Sequence, residues 1–168
     1  MKAPVFFVLL TDKHLSAATE LYNHYVAEST ATFYLEPLSE QEFRKTVFHE
    51  DTRCKSFAVM DSESGAFAGY CSIGLFRPRA GYRLTGEITI YFRPEYTGKG
   101  LGKLAIEHVE AHARKEGFHA VIASVCGENT PSIKLFERCG YQRVAHMKEV
   151  GWKFGRFLDV VYLEKILT

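Results

Sequence analysis

The segment that decides the fold is rich in glycine: Tyr96-Thr97-Gly98-Lys99-Gly100-Leu101-Gly102-Lys103. It follows residues 84–92, which alternate like a strand, and it leads into an amphipathic helical pattern that begins at Leu101. Glycines at alternate positions remove Cβ atoms from the start of that helix, where free backbone N–H groups and the helix dipole favour an anion. The segment therefore indicates either a tight strand-to-helix turn or a phosphate site, to which Lys99 and Lys103 would add positive charge.

Two familiar phosphate-binding motifs do not match this segment. A P-loop needs Ser or Thr after its Gly-Lys pair, but Gly102-Lys103 is followed by Leu104. The dinucleotide fingerprint has the spacing G-x-G-x-x-G in the first βαβ unit, whereas the glycines here are spaced G-x-G-x-G and lie past the middle of the chain. What remains is a diphosphate-binding turn of another kind.

The patterns on either side of the turn predict a single α/β (α+β) domain. Apolar residues recur at helical spacing in residues 13–29, and Ser39-Glu40-Gln41-Glu42 is a capping box that opens a second helix. Further patterns predict strands at residues 57–60, 66–75, 84–92, 120–125, 141–150 and 156–163, and helices at 101–117 and 129–138. With the first strand described below, the order β-α-α-β-β-β-α-β-α-β-β predicts a mixed, mostly antiparallel sheet of about seven strands flanked by about four helices.

Composition limits the possible partners. The chain has 168 residues, with 21 basic and 20 acidic side chains, a formal net charge of +1 and 46% hydrophobic residues. This length fits one domain, residues 1–168, which can bury a core without disulfides or a metal. The charge balance argues against a nucleic-acid partner, and the hydrophobic content argues against disorder.

The amino-terminal segment and the cysteines bear on location. The apolar run at residues 5–10 is too short for a signal peptide or a membrane span, and it predicts a buried first strand. The four cysteines, Cys54, Cys71, Cys126 and Cys139, form no CxxC pair, which favours reduced thiols in the core. We therefore expect a cytoplasmic protein without a membrane partner.

A pair of histidines could suggest a metal site. His108 and His112 share one face of the long helix, but Val109 stands where the zinc-protease motif requires Glu. No third ligand follows at a suitable spacing, so the sequence favours a solvated or half-buried face and no metal.

Two motifs together resemble the Gcn5-related N-acetyltransferases (GNAT). Residues 97–102 match the acyl-CoA-binding pattern Gln/Arg-x-x-Gly-x-Gly/Ala, except that Thr97 replaces the usual Gln or Arg. Residues 129–141 match a second signature, Asn-x-x-(Ala/Ser)-x-x-Leu-(Tyr/Phe/His)-x-x-x-Gly-(Phe/Tyr). The resemblance implies the GNAT fold, acetyl-CoA as cosubstrate and a diphosphate held by the backbone of the glycine-rich turn.

The resemblance extends to one branch of that family. Residues 29–33, 76–82, 86–92 and 151–160 are similar to blocks of the phosphinothricin and methionine sulfoximine N-acetyltransferases. Members of this branch acetylate the α-amine of small amino-acid-like compounds, and several are homodimers. The resemblance thus implies a small-molecule amine acceptor and a homodimer.

The same resemblance assigns catalytic and cofactor roles. Glu87 matches a glutamate on the central strand and is the expected general base; alternatively it faces solvent or pairs with an arginine. The residues expected to contact acetyl-CoA are Ile90, Tyr91 and Phe92 through their backbone, Thr97, Gly98, Lys99, Gly100, Leu101, Gly102 and Lys103 in the turn, and Asn129 and Ser132. Asn129 could equally cap a helix, and the two roles are compatible.

The resemblance also implies an acceptor pocket. Arg77, Arg79 and Tyr82 match the loop that binds the substrate carboxylate, for which the planar guanidinium group is suited; the alternative is a solvated basic loop. Phe33 and Phe76 would wall the pocket, unless they belong to the core. Residues 151–157 could supply part of the pocket or a dimer contact.

One departure leaves alternatives open. Phe136 stands where many relatives have a Tyr, or in this branch a His, as general acid, and it has no proton to give. With Thr97, it makes a non-catalytic acyl-CoA-binding module conceivable. A protein N-terminal or lysine acetyltransferase is the other alternative, although no acidic run that would suit a peptide is visible.

Overall fold

A computed structural model describes residues 4–168 of the chain. Its strands are β1 (Val5–Leu9), β2 (Lys55–Asp61), β3 (Phe67–Leu75), β4 (Thr85–Phe92), β5 (Ala120–Cys126), β6 (Gln142–Lys153) and β7 (Arg156–Ile166). Its helices are α1 (Asp12–Glu28), α2 (Glu40–Val47), α3 (Leu101–Lys115) and α4 (Thr130–Arg138). The predicted α/β fold and order of elements are confirmed. The predicted domain also includes residues 1–3, which lie outside the described residues.

One mixed sheet joins the strands in the order β1-β2-β3-β4-β5-β7-β6. Neighbours are antiparallel except β4 and β5, which are parallel and connected by α3. These two strands pair only at Thr85↔Ala120, Gly86↔Val121 and Glu87↔Ile122. Beyond Glu87, β4 stays paired with β3 and β5 stays paired with β7, so a gap opens between β4 and β5.

The two faces of the sheet carry separate cores. On one face, α3 and α4 pack through residues such as Ala105, Val109 and Ile133. On the other face, α1 and α2 pack on a cluster that includes Tyr22, Phe43 and Tyr70. Because side chains alternate along a strand, Tyr70 and Cys71 of β3 belong to different cores.

A local sequence signal accounts for the start of α2. The predicted capping box is present: the Ser39 hydroxyl oxygen accepts a hydrogen bond from the Glu42 N–H, and the Glu42 carboxylate accepts one from the Ser39 N–H. The two strands of the closing hairpin are longer than predicted. β6 and β7 extend to Lys153 and Ile166, past the predicted ends at residues 150 and 163. The register between them shifts between Met147 and Gly151, where Glu149 has a positive φ of 56°, and this irregularity breaks the alternating pattern.

The predicted cysteine and histidine environments can be inspected directly. All four cysteines are free, and Cys54, Cys71 and Cys126 are buried. His108 stacks on Phe7 with ring centroids 4.2 Å apart, and the His112 ring lies 2.8 Å from the Arg53 carbonyl oxygen. Among residues 4–168, no three His, Cys, Asp or Glu side chains are grouped to hold a metal ion. No helix in the same range is both long enough and apolar enough to cross a membrane.

Candidate active site

The gap between β4 and β5 opens into a cavity of about 620 Å³. Both strands line it beyond their last paired residues, and the loop after α1 and the first turns of α4 close it. Its walls are Tyr25, residues 29–33, residues 87–92 of β4, Thr97, Gly102, residues 123–126 of β5, Asn129, Ser132, Leu135, Phe136 and Val160. The cavity is therefore made where the sheet stops being continuous.

The β4 backbone presents free polar groups to the gap. The Phe76 N–H donates to the Thr85 carbonyl and the Arg93 N–H to the Ala68 carbonyl, so the odd-numbered residues of β4 bond to β3. Ile90 and Phe92 consequently direct their N–H and C=O groups into the gap. The Phe92 carbonyl accepts a hydrogen bond of 2.7 Å from the Tyr25 hydroxyl, which leaves the Phe92 N–H and both Ile90 groups for a ligand.

Tyr91 differs from Ile90 and Phe92 because its backbone groups are not available to a ligand in the gap. Its backbone is directed to β3, where it is paired with Tyr70. Its side chain packs with Tyr22 and Tyr25, and its hydroxyl donates to the Ala31 carbonyl at 3.0 Å. Tyr91 thus supports the wall of the cavity with its side chain.

The glycine-rich turn leaves a row of backbone amides without partners. Gly98 and Gly100 have positive φ values of 71° and 77°, and Gly100 is the N-cap of α3. Among residues 4–168, no acceptor bonds to the backbone N–H groups of residues 98–103, and no side chain caps α3. Such amides at a helix N-terminus suit an anion.

Gly102 has a different role from the other two glycines. A Cβ atom at this position would lie 2.5 Å from Cδ2 of Leu135, so the glycine allows α3 to approach α4 closely. The sequence explained all three glycines by access of an anion to the backbone. The structure assigns Gly98 and Gly100 to the backbone conformation of the turn and Gly102 to helix packing.

The polar side chains of the turn are turned away from the cavity or engaged elsewhere. Lys99 lies over the Tyr96 ring, with Nζ 5.4 Å from its centroid, and Lys103 lies 3.7 Å from the Glu107 carboxylate. Both lysines are exposed outside the cavity, as are Gly98 and Gly100, while Leu101 is buried. Thr97 does line the cavity, and its hydroxyl donates to the Pro94 carbonyl at 2.7 Å.

The start of α4 forms another wall of the cavity. The Asn129 side-chain oxygen accepts a hydrogen bond of 3.2 Å from the Ser132 N–H, so Asn129 caps the helix and lines the cavity at once. Phe136 follows one turn later and is buried, with its ring 5.0 Å from that of Tyr141 in an edge-to-face contact. The α4 wall is therefore polar at its cap and apolar at Phe136.

Glu87 is the carboxylate of the cavity wall. It is the last residue of β4 that pairs with β5, opposite Ile122, and it is half-buried. Burial raises the pKa of this carboxyl, and the positive charge of Arg77 lowers it by a smaller amount. No other residue in the range 4–168 hydrogen-bonds to the carboxylate, which leaves it available as a proton acceptor.

The predicted acceptor residues divide into three groups. Phe33 lines the cavity and packs on Gly151, where a Cβ atom would lie 2.6 Å from the Phe33 ring. Phe76, Arg77 and Tyr82 gather beside the cavity rather than in its wall: the Arg77 guanidinium lies 4.2 Å from the Phe76 ring centroid, and the Tyr82 ring lies 6.0 Å from it. The Arg79 side chain is exposed, and its backbone carbonyl accepts a hydrogen bond from the Tyr82 N–H.

Three residues near the site were not singled out from the sequence, although Lys153 lies within residues 151–157, which were expected to supply part of the pocket or a dimer contact. Tyr25 caps the end of β4, and Tyr162 places its ring 6.4 Å from Phe76. Lys153 is buried behind the loop of residues 29–33. Only Lys153 gave a usable signal, since it is a lysine flanked by aromatic residues in a strand; the other two resemble ordinary core residues.

Comparison with known proteins places this geometry in a family. The model of the acetyltransferase (GNAT) family matches residues 18–141. The chain belongs to this family. It is 33% identical to a phosphinothricin N-acetyltransferase of Streptomyces coelicolor, over 93% of this chain and 92% of the relative. It is also 33% identical to an L-methionine sulfoximine/L-methionine sulfone acetyltransferase of Salmonella typhimurium, over 89% and 86%.

Solved structures agree with the assignment to the GNAT family. A phosphinothricin acetyltransferase from Sinorhizobium meliloti in complex with acetyl-CoA superimposes with a TM-score of 0.91 at 30% identity, covering 98% of this chain and 89% of that one. The GNAT protein described here is therefore an N-acetyltransferase that uses acetyl-CoA. Its free amides at residues 98–103 and the unpaired backbone of Ile90 and Phe92 fit a cosubstrate that carries a diphosphate and an amide-containing arm.

Proposed function

We propose that this GNAT enzyme acetylates the α-amine of a small amino acid or analogue, of the phosphinothricin or methionine sulfoximine kind, by direct transfer with Glu87 as general base. The observation that carries the proposal is the half-buried Glu87 carboxylate at the point where β4 and β5 separate. The named acceptors of the relatives supply the substrate class.

The chemistry requires a neutral amine and a place for its proton. A free α-amine has a pKa of about 8, so part of it is protonated at neutral pH. Burial raises the pKa of Glu87 towards that of the amine, which makes it a better base than an exposed glutamate. Glu87 would take the proton directly or through one water molecule.

Backbone groups complete the catalytic arrangement. Acetyl-CoA supplies an acetyl group activated as a thioester. The Ile90 and Phe92 N–H groups point into the gap and would donate to the acetyl carbonyl oxygen and to the arm that carries it, as donors preorganised for developing negative charge. The amides of residues 98–103 would hold the diphosphate, with Lys99 and Lys103 adding charge nearby, and Asn129 and Ser132 would contact the thioester end.

The acceptor is expected to lie on the Glu87 side of the gap. Arg77 is close enough to influence the Glu87 carboxyl, and its guanidinium group can pair with the carboxylate of an amino acid. Phe33, Phe76 and Tyr82 would border the acceptor. Phe136 cannot protonate the departing thiolate, so we infer that water or another residue does so, or that the thiolate leaves unprotonated.

A thiol-release assay with acetyl-CoA tests this function. The acceptor panel contains free amino acids, phosphinothricin, methionine sulfoximine, and peptides with a free N-terminus or a lysine. We expect turnover with small amino acids, and a fall of about 10²–10⁴-fold in kcat for Glu87→Gln. The matched control is Glu164→Gln, because Glu164 lies opposite the same Ile122 on β7 but outside the cavity.

Each outcome of this assay bears on one part of the proposal. Wild-type turnover by Glu87→Gln would remove Glu87 as base. Turnover with the peptides alone would make the enzyme a protein acetyltransferase. Tight acetyl-CoA binding without turnover of any acceptor would make it a binding module.

We also propose that the protein is a homodimer formed through the β6–β7 hairpin. Trp152 and Phe157 pair across the two strands, with ring centroids 4.7 Å apart, and are 50% and 62% exposed. Val150 and Phe154 extend this apolar surface, which suits burial against a second copy. Sedimentation should show a dimer for the wild type and a monomer for Trp152→Glu, while Leu9→Glu, at an exposed position on β1, should remain dimeric.

A cytoplasmic location follows from the same proposal. The enzyme depends on acetyl-CoA, and its buried cysteines are free thiols. Cell fractionation with an antibody to the protein would test this, and recovery from an extracellular or membrane fraction would contradict it.

A further inference from the structure

A buried lysine stands behind the cavity wall. Lys153, the last residue of β6, is 2% exposed. Its ammonium group donates to the carbonyl oxygens of Ser29 at 2.6 Å and Thr32 at 2.8 Å, and lies 3.5 Å from that of Tyr25. All three acceptors belong to the end of α1 or to the loop that follows it.

Lys153 is buried without a carboxylate partner in the range 4–168. The negative end of the α1 dipole takes that place, since the Tyr25 carbonyl lies in the last turn of the helix and Ser29 is its C-cap. Desolvation lowers the pKa of the Lys153 ammonium group. A buried charge is costly, so its presence at this position calls for an explanation beyond packing.

The hairpin turn is built to insert this side chain. Phe154 and Gly155 follow Lys153 with positive φ values of 52° and 73°, the conformation of a tight two-residue turn. A phenylalanine in this region is strained. The turn nevertheless keeps Gly151 and Lys153 on the inner face and Trp152 on the exposed face.

The loop that Lys153 contacts is residues 29–33, and every one of them lines the cavity. Its other side is fixed to the α1 and β4 region: the Thr32 hydroxyl is 2.6 Å from the Tyr22 hydroxyl, and the Ala31 carbonyl accepts from Tyr91. The loop thus extends from β4 to the β6–β7 hairpin. Lys153 binds the loop directly to the hairpin, together with the Phe33–Gly151 contact. Thr30 is linked to the hairpin only indirectly: its hydroxyl donates to the exposed Glu128 carboxylate, which pairs with Arg156.

We infer that Lys153 is a positioning residue that fixes residues 29–33 as one wall of the acceptor pocket and thereby sets the affinity for the acceptor. The part about the acceptor rests on the proposed function; the part about the loop does not. The inference also assigns a role to the inner face of residues 151–157, separate from the exposed face proposed for the dimer.

The test compares Lys153→Met with Lys165→Met. Lys165 is also largely buried, and it donates to the Glu110 carboxylate and to the Cys139 carbonyl, away from the cavity. Both variants should lower Tm. Only Lys153→Met should raise the KM for the acceptor, by about tenfold or more, with the KM for acetyl-CoA within about twofold of wild type.

A second variant and a second measurement keep the test decisive if Lys153→Met folds poorly. Lys153→Gln retains two N–H donors and should give a smaller rise in acceptor KM. Amide hydrogen exchange, measured without any acceptor, should be faster in residues 29–33 of either Lys153 variant and unchanged there in Lys165→Met.

Two results would overturn the inference. One is unchanged exchange in residues 29–33 of the folded Lys153 variants. The other is an equal rise of the acceptor KM in Lys165→Met, which would make the effect a general loss of stability. If no acceptor is turned over by the wild type, the proposed function fails, but the exchange measurement still tests the role of Lys153.

Discussion

Arg77 and Glu87 interact electrostatically at the point where β4 separates from β5. Burial raises the pKa of the Glu87 carboxyl, and the positive charge of Arg77 opposes this shift in part. The guanidinium group rests on the Phe76 ring and is exposed to solvent, whereas the carboxylate is half-buried. The arginine that would bind the acceptor carboxylate therefore also lowers the pKa of the proposed base.

Replacing Arg77 should change the pH dependence as well as the affinity. A general base works only when ionised, so activity is lost as the pH falls through its pKa. Arg77→Met removes the charge that lowers the Glu87 pKa, so the acid limb of the kcat profile should move to higher pH. The acceptor KM should rise by about tenfold or more, since a charged hydrogen bond contributes about 1.5–3 kcal/mol.

Arg83→Met is the matched control for this experiment. Arg83 lies in the same exposed loop, and its guanidinium group is 3.5 Å from the Ala80 carbonyl oxygen. Arg83→Met should leave the pH dependence of kcat unchanged. An unshifted acid limb in Arg77→Met would show that Glu87 is not the group responsible for it.

Gly102→Ala should weaken the contact between α3 and α4. The new methyl group would lie 2.5 Å from Cδ2 of Leu135, and overpacking of this kind costs about 1–3 kcal/mol of unfolding free energy. Because both helices border the cavity, the KM for acetyl-CoA should also rise. Urea unfolding and initial-rate kinetics measure the two effects.

A double-mutant cycle with Leu135→Ala tests whether overlap with Leu135 causes the loss of stability in Gly102→Ala. If the overlap is responsible, the double variant should be more stable than the sum of the two single changes predicts. Simple additivity would mean that the methyl group at position 102 acts through another contact.

Gly151→Ala should disturb the acceptor pocket from the hairpin side. Its Cβ would lie 2.6 Å from the Phe33 ring, which lines the cavity, so the ring must move. We expect a severalfold rise in acceptor KM, of the order of one kcal/mol, with little change for acetyl-CoA. Gly81→Ala is the comparison, because a Cβ there meets no atom within 4 Å; equal kinetic effects would contradict the assignment.

Acid should destabilise the protein through His108. Burial lowers the pKa of this ring, which packs against Phe7 and Phe57, and charge on His112 lowers it further. A histidine with a lowered pKa in the folded state binds its proton more readily in the unfolded chain. Its contribution to stability is therefore present above about pH 6.5 and is lost as the pH falls below that value.

Thermal unfolding between pH 7 and pH 5 measures this effect. For each such histidine the free energy of unfolding falls by at most about 1.4 kcal/mol per pH unit. His49, whose pKa is also lowered by burial, should contribute in the same direction. His108→Phe should show a shallower fall than the wild type; a fall of the same steepness would assign the acid sensitivity to other groups.

The features of the fold that can be predicted from the sequence are those that depend on a local pattern. Helix and strand order, the Ser39 capping box and the glycine-rich turn could all be read from short segments, because capping, periodicity and positive φ are local properties. The predicted strand β6 ended too early, at residue 150, because the irregularity at Glu149 interrupts the alternation of apolar and polar residues. The hydrogen-bond partners of Tyr25 and Lys153 could not be predicted, since they are residues far away in the chain.

The short pairing of β4 with β5 also affects the stability of the folded protein and the cooperativity of its unfolding. β4 pairs with β3 from Gly86 to Phe92 but with β5 only from Thr85 to Glu87, so the sheet consists of two sub-sheets, β1–β4 and β5–β7–β6. A cosubstrate that bonded to both sides of the gap would take the place of the missing strand contacts. Its binding should therefore make unfolding of the two sub-sheets more cooperative, besides adding about 2.7 kcal/mol of stability at a ligand concentration of about one hundred times Kd.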